Sequence, residues 1–448
     1  MLPDNIFAIL IPILIPLVSA IIKVPKRCKE KRIEMMKNAL HESKKSRNCS
    51  MQEALEMHKE MLCRLGNDVD MASNLICETG WVNVHKKNGC CTEIDVNFFQ
   101  LKEIDATIIE AIPDSALKSK KSWKTLPNLG KEASYFDTMN EYIRREEKKR
   151  DMWDGPLYAL GNVCKPSELD DKFSLCVYYK EHGYKDFYDT CEYLVYEVAY
   201  AKSKEKKKRV GVTPCTLERY LPYLPARKAC INVFDFTNRF VGIGVNAMII
   251  VKGLPSKTNG ESNPMFFLHV RSEEEGEAPN TNSVLPAGSW QPTSDYNENE
   301  NQPQSLEYTF FREFKEEILG RMEMENPATE AIIINQLDGI LKPYFLGIGL
   351  EPLNLKAEIL VVAIMDFKEK ESWPEIREIN FKKINTIEEL EEQIKNNANY
   401  ETEEFFLKEL SQKTLAEYEK NKDSTAALRE IARIVNLQEN RGIFGVVN

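Results

Sequence analysis

FFREFKEEILG, residues 310–320, is the stretch on which the reading of this chain turns. Three glutamates, Glu313, Glu316 and Glu317, fall within five positions beside Arg312. Leu306, Phe310, Phe314 and Ile318 recur every fourth residue, which predicts an amphipathic helix with one buried stripe. Ser305 is the expected N-cap and Gly320 the expected stop. At about 3.6 residues per turn the three glutamates share an arc of roughly 100°. Carboxylates so close repel one another unless a cation joins them, and Arg312 offsets only part of that charge. Hard oxygen donors on one helix face suit Mg²⁺, whose remaining positions go to water and phosphate. A solvated glutamate-rich face is the competing reading.

On the amino-terminal side, GIGVNAMIIVKG (242–253) and MFFLHVR (265–271) predict buried strands joined by a hairpin-like Gly/Ser/Asn stretch. VLPAGSW (284–290) predicts a strand running into a tight Pro/Gly turn, and the polar QPTSDYNENENQPQS follows it. On the carboxyl-terminal side, 331–335, 344–349 and 357–367 are strand-like, and 386–398, 403–421 and 424–437 are predicted amphipathic helices. Glu358 or Asp366 is a candidate further ligand or base, against the plainer reading of an ordinary strand-end acid.

The order strand, PAGSW, loop, REFKEE resembles the Nudix superfamily, whose box runs G-x5-E-x7-R-E-U-x-E-E-x-G-U, with U bulky and apolar. Gly288 matches the opening glycine, in a turn with Pro286 that resembles the family's Pro-Gly-Gly. Arg312, Glu313, Phe314, Glu316 and Glu317 match R-E-U-x-E-E without a gap. The resemblance covers roughly 210–400 and implies an α/β/α sandwich around a mixed sheet. It further implies Mg²⁺, with Mn²⁺ as the alternative ion, held by Glu313, Glu316 and Glu317. Arg312, Glu316 and Glu317 are the implied catalytic residues, and Gly288 and Pro286 would let backbone approach the ligand's phosphates. The family typically hydrolyses nucleoside diphosphates linked to another group.

The chain departs from that pattern in the loop. Gly288 and Arg312 are 24 positions apart, a longer spacing than the box allows. Counting from either end, the first box glutamate falls on Gln304 or Ser294, and the box glycine falls on Leu319, one residue before Gly320. Metal or ligand binding is therefore expected ahead of efficient turnover. A non-catalytic sensor of a nucleotide second messenger is the alternative expectation, similar to the membrane-span-plus-Nudix effectors of bacterial antiphage signalling. An interaction module without ligand is a third.

Residues 6–22, IFAILIPILIPLVSAII, carry no charge. At about 1.5 Å per residue they span roughly 25 Å against a hydrocarbon core of about 30 Å. Lys23, Lys26, Arg27, Lys29, Lys31 and Arg32 follow, and only Asp4 is charged before them. The positive-inside rule then puts the long carboxyl-terminal part in the cytoplasm of a single-pass cell-membrane protein. A cleaved signal peptide and a buried helix are the alternatives. The resulting division is 1–24 anchor, 25–70 helical stalk, 71–209 α+β region and 210–448 Nudix-like domain with carboxyl-terminal helices. TPCTLERYLPYLPARKACINVFDFTNRF (213–240) resembles a lead-in of bacterial Nudix-like fusions.

With 448 residues the chain is too long for one ordinary domain. Its net charge of −10 makes DNA or RNA a poor default partner. The expected partners are a nucleotide ligand, the lipid bilayer through 6–22, and a second copy as one reading left open. The eleven cysteines form no CxxC pair and there is no HExxH, so a zinc site is not expected. Irregular spacing in a chain this large reads as reduced thiols. The runs 142–151 and 202–209 are charge-rich. The second is basic enough to meet anionic lipid, though a solvated helix end is the plainer reading.

Overall fold

A computed structural model describes residues 155–164, 174–195, 239–258, 260–271, 281–291, 305–321, 327–351, 353–397, 402–421 and 423–447, with short pieces at 82–83, 100, 102, 105–108 and 236. The apolar run 6–22, the stalk at 25–70, the charge runs 142–151 and 202–209 and most of the lead-in lie outside these residues. No helix among the described residues is long and apolar enough to cross a membrane.

The strands in chain order are β1 Val82–Asn83, β2 Asp105–Ile108, β3 Leu157–Cys164, β4 Ser174–Lys180, β5 Ile243–Lys252, β6 Met265–Arg271, β7 Asn282–Ser283, β8 Ala287–Ser289, β9 Lys342–Leu350, β10 Ala357–Asp366 and β11 Thr402–Glu409. The helices are α1 Tyr184–Phe187, α2 Leu306–Glu317, α3 Pro327–Asp338, α4 Ile387–Asn397, α5 Gln412–Lys420, α6 Ala426–Val435 and α7 Gln438–Phe444. A mixed sheet runs β1-β9-β10-β5-β6-β11, with β7 on β6 and β8 on β5. β10 and β5 are parallel over their whole length; the other pairs of this sheet are antiparallel. The described part is thus α/β with a mixed sheet, as expected.

Central strands covered on both faces need apolar side chains at every position. β5 and β10 meet that need over 247–251 and 359–365. Val245, Ala247, Ile249, Ile359, Val361 and Ala363 point to one core with Phe310, Phe314 and Ile318 of α2 and Leu390 of α4. Met248, Ile250, Leu360 and Val362 point to a second core with Leu428, Ile431 and Val435 of α6. The period of two along the strands sends alternate residues to opposite helix layers.

Three expectations are corrected. Gly288 does not sit in a tight turn but in strand β8, held by its pairing with β5 opposite Val245. AIIIN (331–335) is not a strand but lies inside α3. Its burial follows the helical period: Ile333 and Leu337, four apart, are buried, and Ile332 is 58% exposed. Pro327 at the first helical position and the helix formers around the isoleucines override their β-branched preference. Residues 403–421 are not one helix. TEEFFLKE forms β11, with Phe405 and Leu407 buried on one face, and only Gln412–Lys420 is helical.

A three-stranded sheet, β2-β4-β3, lies beside this body. Its residues Leu157, Tyr158, Leu160, Leu175 and Val177 share the first core with Val241, Ile243 and Trp290. The Tyr158 amide donates to the Trp290 carbonyl at 3.2 Å and the Leu160 amide to Val241 at 2.9 Å. The Tyr158 and Trp290 rings are 5.0 Å apart.

Candidate functional site

Helix α2 begins where Ser305 ends the loop: its hydroxyl accepts from the Tyr308 amide at 3.1 Å, satisfying one of the first-turn donors. The predicted stripe is buried throughout: Leu306, Phe310, Phe314 and Ile318 are each 1% exposed or less. The helix ends at Glu317, and Gly320 follows in the left-handed region at φ 68°. A Cβ there would also run into the Asn397 carbonyl at the end of α4, so glycine is required twice over. Held at both ends, α2 presents its glutamates to the short strand β8.

β8 pairs antiparallel with β5, setting Ser289 opposite Gly244, Gly288 opposite Val245 and Ala287 opposite Asn246. The Ala287 amide donates to Glu317 Oε2 at 2.9 Å. The Glu313 carboxylate lies directly over Gly288, where any Cβ would collide with it. Arg312, 2% exposed, donates to the Ser289 carbonyl at 3.0 Å and to Glu313 Oε1 at 2.6 Å. Its other terminal nitrogen stands 3.5 Å from Glu316 Oε2. A planar guanidinium can serve a carbonyl and two carboxylates at once, which an ammonium cannot do with the same geometry. Glu313 and Glu317 are 8% and 4% exposed. Charges this deep are tolerated only when hydrogen-bonded and paired, as they are here.

The structure therefore brings together Gly288, Arg312, Glu313, Glu316 and Glu317 at one helix–strand contact, while Pro286 lies just before β8 and its carbonyl accepts from the Ala247 amide of β5 at 2.9 Å. By donor type the three carboxylates fit Mg²⁺ or Mn²⁺. By placement, Arg312 and the Ala287 amide already meet their charge. No group of three or more His, Cys, Asp or Glu side chains converges as a metal cage among the described residues.

Glu358 and Asp366 are not part of this contact. Glu358 accepts from Asn246 Nδ2 at 2.7 Å and pairs with Lys356 at 3.3 Å. It fills the space beside Gly244, and Gly244 and Asn246 point to the strand face opposite Val245 and Gly288. Asp366 caps a short 3₁₀ turn, accepting from the Lys368 amide at 3.1 Å. Asn246 and Lys356 were not singled out from sequence. Their network continues as Asn354, which donates to Glu192 at 2.7 Å. Nothing in the local sequence marks it, because its members come from three distant segments.

No family model matches the chain, and no curated protein matches it in sequence. Among solved structures it is similar to one titled as a NUDIX hydrolase from Alicyclobacillus acidocaldarius, at 10% identity over 46% of this chain and 97% of that one. The TM-score is 0.25. At that score the likeness carries no argument about activity or ligand.

Proposed function

We propose that the carboxyl-terminal part is a Nudix-like domain that binds a nucleotide or nucleoside-diphosphate-linked ligand with Mg²⁺, in a protein anchored to the membrane by residues 6–22. The supporting observation is the clamp between α2 and β8. Glu313 rests on Gly288, Glu317 on the Ala287 amide, and Arg312 ties the Ser289 carbonyl to Glu313. Gly288 lets the Glu313 carboxylate lie against the strand backbone, and the carboxylates gathered there would attract the counter-ion a phosphate carries. Glu313, Glu316 and Glu317 would hold the ion, Mg²⁺ or in its place Mn²⁺. Bound there, it supplies positive charge against phosphate oxygens. Arg312 positions the helix by fixing its glutamates against β8.

A second reading keeps the ligand and drops turnover. It is favoured by the same geometry: Arg312 already meets part of the charge of Glu313 and Glu316. On this reading the domain is a nucleotide second-messenger sensor on the cytoplasmic side. Ligand binding would change the behaviour of the span, as in bacterial antiphage effectors of similar layout.

The test uses the full chain purified in detergent. It is titrated calorimetrically with Mg²⁺, then with nucleotides, nucleoside-diphosphate conjugates and cyclic oligonucleotides in Mg²⁺, and the mixtures are analysed chromatographically for products. Product release that disappears in Glu316→Gln and Glu317→Gln establishes hydrolysis. Binding without product establishes the sensor. Absence of both at millimolar ligand refutes the proposal and leaves an interaction module.

A further inference from the structure

The mixed sheet ends at β11, and among the described residues only β6 pairs with it. Along an antiparallel strand, alternate residues direct their amide and carbonyl to one neighbour and the rest to the other side. The outer side of β11 thus offers a row of donors and acceptors. A second strand would complete it.

We propose that the occupant is β11 of a second copy of this chain, joined across a two-fold axis at Phe406. Two identical antiparallel strands must oppose residues that direct their hydrogen-bonding groups the same way, so the axis falls on a residue and not between two. Three centres lie within the strand's middle. An axis at Phe405 sets Glu404 against Phe406 and Glu403 against Leu407. An axis at Leu407 sets Phe406 against Lys408 and Phe405 against Glu409. Both place an acid against an apolar side chain. An axis at Phe406 sets Phe406 against itself, Phe405 against Leu407, and Glu404 against Lys408, each of the last two pairs occurring twice.

The exposure pattern agrees with this register. Glu404 and Lys408 are exposed and Phe406 is half-buried on one face, while Phe405 and Leu407 are buried on the other. Lys408 Nζ already lies 5.1 Å from the centre of its own Phe406 ring. In the paired state an aromatic contact is flanked on both sides by opposite charges, the cross-strand pairs that stabilise antiparallel sheets. The axis also brings Glu403 opposite Glu409. The ladder with β6 shifts register between Thr402 and Glu404, and Glu409 accepts from Asn263 at 2.6 Å. The matched ladder therefore runs from Glu404 to Lys408, and isolated charges elsewhere on the edge deter other strands.

The experiment measures the dimer dissociation constant of the full chain by sedimentation in detergent for four proteins: the parent, Glu404→Lys, Lys408→Glu and the double swap. Each single swap replaces two attractive pairs by two repulsive ones and is expected to weaken dimerisation at least tenfold. The double swap is expected to restore it to within about threefold. Independently, Phe406→Cys is expected to cross-link to its own copy under mild oxidation, the bridge being mapped by mass spectrometry. Glu404→Cys alone is expected not to, because its partner position is 408. A monomer at all concentrations overturns the proposal. So does a dimer indifferent to the swaps, or one in which Glu404→Cys bridges to itself while Phe406→Cys does not.

Discussion

At residue 288 a methyl group has no room. Its Cβ would fall on the Glu313 carboxylate, which is itself held by Arg312. Gly288→Ala must therefore displace a buried, charged side chain, and overpacking of this kind costs about 1–3 kcal/mol. Denaturant unfolding is expected to show that loss, and Glu313→Ala in the same background should recover part of it by removing the obstacle. His269 offers a second test at this scale. It is 2% exposed on β6, opposite Phe405 and Ser283, and burial together with nearby Arg271 lowers its pKa to about 3. An imidazole depressed from 6.5 binds a proton in the unfolded chain before it does in the folded one. Its contribution is complete above the unfolded value and is lost progressively as pH falls towards about 3. Between about pH 7.5 and about pH 5 the loss is about 2 kcal/mol for this group alone. His269→Leu should flatten that part of the stability–pH curve, while an unchanged slope would show that other groups produce it. Glu307 acts in the opposite sense, because burial raises its pKa.

At the scale of the element, α2 is specified by its ends as much as by its stripe. Ser305→Ala removes the hydroxyl that accepts from Tyr308 and is expected to cost about 1 kcal/mol. Phe314→Ala leaves a cavity at the centre of the first core and is expected to cost about 3–5 kcal/mol. Thermal unfolding should rank the two in that order. The helix, its cap, its glycine stop and its buried stripe were all legible in the sequence, because each depends on residues within a turn or two of one another. So were β5, β6 and β10, whose runs of apolar residues are long. The segments at 331–335 and 403–409 were misread for a related reason. Three isoleucines or two phenylalanines in a row satisfy either period locally, and only their neighbours in space decide which one is used.

At the scale of the molecule, the three-stranded sheet is part of the carboxyl-terminal core. Leu157, Tyr158 and Leu160 bury Val241, Ile243 and Trp290, and β3 donates two backbone hydrogen bonds across that contact. A fragment starting at residue 210 therefore exposes an apolar face that a fragment starting at 150 covers. The shorter one is expected to aggregate or to melt lower by on the order of 10 °C or more, since each kcal/mol shifts the midpoint by about 2–4 °C at this size. Equal melting would show that the contact contributes little. Ligand-binding work on an isolated domain should accordingly retain residues from about 150 onward.

By itself the sequence determined the amphipathic helix carrying Arg312, Glu313, Glu316 and Glu317 and the buried strands behind it, whereas Gly288, expected in a turn, lies in strand β8. These follow from periodicity and from the steric demands of single residues. Only the tertiary structure decided what meets the charge of those carboxylates. Arg312 can reach Glu313, Glu316 and the Ser289 carbonyl because β5 sets β8 beside α2, and the Ala287 amide meets Glu317 for the same reason. Charge compensation in a buried site depends on distances between segments far apart in the chain, and no local pattern encodes those distances.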